Sequence, residues 1–190
     1  MLFFLLESSP ILRGFSLEPL EKRPLHPPRT YENLRVKTPS SSIPLLNLLQ
    51  CYEAEFSAIT EKLPNELGEF PLDIKLDGSY DAYLFTENKI PIGFAIKGTE
   101  SGLHDISEFY VIPSKRHNSL GRTFAKEIFK KYIGPWQVRQ IEGADLAVRF
   151  WTKAISEFTN GDFTSSKEED DYWGKITIQR FEVSGNETAS

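Results

Sequence analysis

Cysteine is nearly absent from this chain. Cys51 is the only one, so no disulfide can form within the molecule, which fits a reducing compartment. Its neighbours Leu46, Leu48, Leu49 and Tyr52 follow a helical spacing, so Cys51 is expected to be a small core residue. The three histidines, His26, His104 and His117, show no metal-ligand spacing, and no metal site is expected. Nor does any run approach the roughly 18 apolar residues of a membrane span. The apolar start, Met1 to Leu6, is short and lacks a basic flank, so it is not read as a secretory leader. Basic charge is not in excess either: the net charge of −5 argues against nucleic acid as a partner. These absences together predict a cytoplasmic protein without membrane or nucleic-acid partners, and leave a homodimer open.

What is present suits a globular domain. The 190 residues are enough for one sizeable core, and a 13% share of aromatic residues argues against disorder. Residues 1–31 stand apart. Pro10, Pro19, Pro24, Pro27 and Pro28 break regular elements there, so an extension without chemistry is expected. The domain is expected over 32–184, and 185–190 reads as a polar tail.

Asn33 to Thr38 alternates like a short strand. Ser40 to Ser42 and Pro44 then suit a helix start, and Leu45, Leu48, Leu49, Tyr52, Phe56 and Ile59 form a helical stripe. Tyr80–Thr86 and Ile90–Ile96 read as a hairpin about Glu87-Asn88-Lys89. His104–Ile112 is a third strand of the series, and a helix follows over 119–133. Trp136–Ile141 is a strand, Ala144–Phe158 a helix and Lys175–Val183 a final strand. The order β-α-β-β-β-α-β-α-β predicts an α/β domain whose mixed sheet is covered by helices. The run Glu168-Glu169-Asp170-Asp171 reads as a solvated acidic loop that could border an acceptor site.

The most informative stretch is Val111-Ile-Pro-Ser-Lys-Arg116-His-Asn-Ser119-Leu-Gly121-Arg122. A strand ends at a proline, a basic polar loop follows, and a helix begins. That arrangement presents backbone N–H groups and a positive dipole end to an anion, and a diphosphate suits it. Arg116-x-x-Ser119-x-Gly121 resembles the pyrophosphate-binding pattern of the GNAT superfamily of N-acetyltransferases, with serine where one glycine is usual. Ala144-x-x-Ala147-x-x-Phe150-Trp151 resembles a second segment of that superfamily, and Tyr172-Trp173 through Val183 looks like a subgroup of uncharacterised predicted acetyltransferases.

The resemblance covers about residues 33–183. It implies a mixed, mostly antiparallel sheet with splayed middle strands, here 104–112 and 136–141, and acetyl-CoA as co-substrate without a metal. Phe109 and Val111 would pair by their backbone with pantetheine and polarise the thioester. His117, Asn118, Ser119, Gly121 and Arg122 would cradle the pyrophosphate, with Arg116 pointing a cation at it. Glu108 is the implied general base, with Asp105 less well placed, and Trp151 stands where many members carry a tyrosine acid. Tyr110 and Tyr132 are named as substitutes for that acid, with no motif of their own behind them. The implied reaction is direct transfer of acetyl to a primary amine, on a small molecule or a protein. Two rival readings are a non-catalytic acetyl-CoA-binding module and an acyltransferase for longer acyl chains.

Overall fold

The computed structural model describes residues 41–74, 79–116 and 119–185, together with the backbone of 34–37. The extension 1–31 and the ends of the first strand, Asn33 and Thr38, lie outside the described residues.

Strand β1 (Leu34–Lys37) precedes α1 (Ile43–Thr60), in which Pro44 sits in the first turn, where its missing N–H costs nothing. β2 (Asp81–Glu87) and β3 (Ile90–Glu100) form the expected hairpin. Its two turn residues, Asn88 and Lys89, both have positive φ, as a tight two-residue turn of this twist requires. β4 (Leu103–Val111) runs into a single 3-10 turn, Pro113–Lys115, and then into α2 (Leu120–Phe129). β5 (Gly134–Ile141), α3 (Asp145–Thr159), β6 (Thr164–Asp170) and β7 (Gly174–Val183) complete the domain.

The seven strands of the described residues lie in the order β1-β2-β3-β4-β5-β7-β6. Only β4 and β5 run parallel; every other neighbouring pair is antiparallel. Helices cover both faces. Tyr52 and Phe56 of α1 pack on one face, where Tyr52 meets Phe94 at 5.8 Å and Tyr110 at 6.1 Å. On the other face Phe124 of α2 stacks on Phe85 at 4.7 Å, and Trp151 of α3 meets Phe109 edge-on at 5.0 Å. These rings are almost fully buried and form the core.

Three expectations need correction. β6 was expected to be a loop, because its sequence, Thr-Ser-Ser-Lys-Glu-Glu-Asp, has no apolar face. It is an edge strand, held by its ladder to β7 and by Arg180 across to Glu168 at 2.6 Å. An edge strand whose residues are exposed or at most half-buried needs no hydrophobic alternation. Cys51 is exposed rather than in the core, because the buried stripe of α1 runs through Leu45, Leu49, Tyr52 and Phe56 and leaves Cys51 on the solvent side. The helix after the loop, expected over 119–133, ends at Phe129, and Ile133 beyond it is 60% exposed. Among the described residues no helix is long and apolar enough to cross a membrane.

Candidate active site

Two irregularities of the sheet create the site. The first is the divergence of β4 from β5. Their ladder consists of His104 with Trp136 and Asp105 with Gln137, and it ends there. The second is a bulge in β4. Ile96 faces Glu108 while Lys97 faces Ile106, so Ser107 is the extra residue. Bulges bend a strand and re-aim its side chains. Gly98 opposite makes room for it, since a Cβ there would sit 2.9 Å from the Ser107 hydroxyl and from the Tyr80 ring.

A cleft of about 420 Å³ opens beside this bulge. Glu108, Ser107 and Asp105 of β4 line it, with Arg139 of β5, Phe56 of α1 and Trp173 of the β6–β7 turn. Glu108 is only 8% exposed; no well-formed hydrogen bond reaches its Oε2 among the described residues, although the Tyr52 hydroxyl lies close enough to interact with the carboxyl. Burial is the main reason that its carboxyl is pushed up to about 7; Tyr52 nearby opposes the shift, and Glu53 and Asp73 add to it. Tyr52 is itself buried, and its phenol is pushed above the usual range by burial first and by Glu108 second. A carboxyl near 7, facing a cleft, is suited to take up a proton at neutral pH.

The other charges of the cleft are mostly paired. Arg139 reaches Asp105 with Nη2 at 3.1 Å and Nε at 3.3 Å, and Asp170 with Nη1 at 3.7 Å. Asp170 also accepts the backbone N–H groups of Tyr172 and Trp173, which fixes the aromatic turn over the cleft. Burial, above all, pushes the Asp105 carboxyl up, and Arg139 opposes this. Behind the cleft the buried Glu53 pairs with Lys62 at 3.1 Å, and Lys62 also pairs with Asp73.

The basic loop leaves the far end of β4. At about 3.3 Å per residue, Val111 lies about 10 Å along the strand from Glu108. Arg116 differs from the expected exposed cation. Its guanidinium is buried, donates from Nε to the Val111 carbonyl at 2.7 Å and pairs with Glu55 of α1 at 2.8 Å. The same guanidinium lies 5.2 Å from the centre of the Tyr110 ring, whose hydroxyl donates to Glu55 at 2.8 Å. The Arg116 side chain therefore ties the loop down. Arg122 and Lys126 both lie 3.1 Å from Glu157 of α3, and Lys115 pairs with Glu87.

Ser119 sits at the start of α2 with φ of 43°, and its carbonyl accepts the Thr123 N–H at 2.9 Å. Gly121 falls in the first turn, where backbone N–H groups lack intrahelical acceptors. His117 and Asn118 lie outside the described residues.

Phe109 packs its ring between Phe124, Phe150 and Trp151 at 5.0 to 5.7 Å. Trp151 is fully buried, and its indole Nε1 has no hydrogen-bond partner among the described residues. The Tyr132 hydroxyl is bonded to Asp81 and Tyr83 of β2. Tyr110 and Tyr132 are both pushed above the usual phenol range, mainly by burial, which makes each a weaker acid. Sequence reasoning missed Tyr52, Glu55 and Arg139. Each acts through a partner distant in the chain, and a single sequence carries no signal for such pairs.

No protein-family model matches the chain, and no curated protein matches it. Solved structures do. An acetyltransferase from Thermus thermophilus superposes with a TM-score of 0.58 at 13% identity, covering 80% of this chain and 97% of the other. A GNAT family acetyltransferase from Elizabethkingia anophelis with acetyl-CoA bound gives 0.52 at 13% identity, covering 80% and 99%. The ribosomal-protein-S18-alanine N-acetyltransferase from Escherichia coli gives 0.52 at 11% identity, covering 80% and 94%. The chain therefore has the GNAT fold: a mixed, mostly antiparallel sheet with its middle strands splayed and helices on both faces.

Proposed function

We propose that this protein is an N-acetyltransferase that uses acetyl-CoA and acts on a primary amine in a ternary complex. The observation that carries this reading is Glu108. It is a buried carboxyl, poised near 7, with an oxygen that no well-formed hydrogen bond reaches among the described residues, in a cleft beside the point where β4 leaves β5. A structural neighbour of the same fold described with acetyl-CoA bound supports the choice of co-substrate.

Acetyl-CoA would lie across the opening between β4 and β5. Its pantetheine amides meet the strand edge near Phe109 and Val111, and its pyrophosphate meets the loop and first turn of α2. Ser119, Gly121, His117 and Asn118 supply that cradle. Arg122 borders it as a cation shared with Glu157. Arg116 contributes indirectly, by holding the loop against Glu55 and Val111.

In the reaction the amine nitrogen attacks the thioester carbonyl carbon. The C–N bond forms, the C–S bond breaks, and the nitrogen loses one proton to Glu108, directly or through water. The thiolate of CoA leaves and takes a proton from solvent. CoA thiolate is a good leaving group, so the tyrosine that Trp151 replaces is not required. Cys51, exposed on α1, does not line the cleft, in keeping with direct transfer without an acyl-cysteine.

The test is to incubate the protein with acetyl-CoA and a panel of amines and look for acetylated product by mass spectrometry. Calorimetry with CoA should show stoichiometric binding. Stoichiometric CoA binding without any acetylated product would favour a non-catalytic binding module, and preferential use of a longer acyl-CoA would move the assignment to that substrate.

A further inference from the structure

The charge of the cleft is lopsided. Its lining includes the carboxylates of Asp73, Glu100, Asp105, Glu108 and Asp170, and one cation, Arg139. Arg139 offsets Asp105 and Asp170, and Lys62 offsets Asp73. Two carboxylates stand outside these pairs. Glu108 is more than nine-tenths buried at the inner end, and no well-formed hydrogen bond reaches its Oε2 among the described residues. Glu100 is exposed at the C-terminal end of β3 and forms no ion pair among the described residues. Its charge is felt within the site, since it helps to push the Asp105 carboxyl up and to hold Arg139 charged. Aromatic rings complete the wall. Tyr172, 75% exposed, meets Trp173 edge-on at 4.7 Å, and both line the cleft.

The geometry points to an acceptor with two amino groups, one delivered to Glu108 and the other held as an ammonium ion by Glu100. This inference rests on the acetyl-transfer reading and deepens it. Fixed negative charge in a cleft raises the local concentration of cations. Tyr172 and Trp173 put aromatic rings in the wall, and aromatic rings attract cations as well as methylene groups. A free amino acid is disfavoured, because its carboxylate would enter among like charges. The substrate class is therefore a linear diamine or oligoamine. Glu100 determines specificity without touching the reacting atoms.

The experiment compares 1,4-diaminobutane through 1,8-diaminooctane with n-butylamine, in the parent protein and in Glu100→Gln. A diamine of suitable length should give a higher kcat/KM than the monoamine, through KM, and the advantage should shrink as salt is raised. In Glu100→Gln the diamine-to-monoamine ratio of kcat/KM should fall about fivefold, the scale of one partly exposed ion pair. Equal use of both amines by the parent, or an unchanged ratio in the variant, overturns the inference while leaving acetyl transfer intact. Absence of transfer to every amine is a different result; it overturns the acetyl-transfer reading and this inference with it.

Discussion

Glu55 of α1 and Arg116 of the loop before α2 form an ion pair of 2.8 Å across 61 positions of the chain, and the arginine end is buried. Arg116→Ala would leave Glu55 without its cation and Val111 without its donor. Stability should fall by about 2–3 kcal/mol, less than for a wholly buried pair because Glu55 is partly exposed. CoA affinity should fall too, as the loop loosens. The distinguishing variant is Glu55→Gln. If Arg116 works by holding the loop, Glu55→Gln weakens CoA binding in calorimetry; if Arg116 contacts the diphosphate, it does not.

Ser119 occupies a left-handed backbone position that glycine adopts without strain. Ser119→Gly should raise stability by about 1 kcal/mol in urea unfolding, the usual cost of such a φ for a side-chain-bearing residue. It should also tighten CoA binding, because without a Cβ the backbone can approach the phosphate more closely. Weaker binding would show that the serine hydroxyl contacts phosphate.

Asp105 and Arg139 should respond unequally to mutation. Asp105 is almost wholly buried, whereas the Arg139 side chain is 29% exposed and also reaches Asp170. Arg139→Ala strands a buried carboxylate and should cost about 3–5 kcal/mol at neutral pH. Asp105→Asn leaves a guanidinium that still meets Asp170 and water, and should cost clearly less. Chemical denaturation of both variants at pH 7 checks the order.

Glu108 links the site to stability. Its folded carboxyl titrates near 7 against an ordinary 4.5, so the folded protein holds this proton more tightly than the unfolded chain. The resulting stabilisation is complete below about pH 4.5 and is lost as the pH rises through about 7. Across that window it amounts to about 3 kcal/mol. Glu108→Gln has no such proton, so its stability relative to the parent should improve from pH 4 to pH 8. Parallel pH profiles for the two proteins would contradict a buried, raised carboxyl.

The sequence exposed the parts of the fold that rest on local pattern. The stripe of α1, the Asn88-Lys89 turn and the strand–loop–helix run from β4 to α2 are each legible in windows of a few residues. Glu108 was named from the sequence because the resemblance implies a carboxylate base on this strand; its burial beside the cleft was not visible there. What stayed hidden depends on partners far along the chain. The bulge at Ser107 is visible only in the register with β3. The inward turn of Arg116 depends on Glu55, and β6 exists because β7 offers it a ladder. Glu53 sits in an apolar stripe yet is buried, because Lys62 comes back over it.

The most direct measurement is release of free CoA thiol from acetyl-CoA, with an amine present, from pH 6 to pH 9, by the parent protein and by Glu108→Gln. The parent rate should rise through pH about 7 as Glu108 ionises. At neutral pH the variant should be slower by about 10²-fold or more, with CoA affinity nearly unchanged, and the gap should narrow at high pH, where more of the amine is already neutral. Undiminished transfer by Glu108→Gln across the whole range would contradict the account and leave Glu108 a buried strand carboxylate.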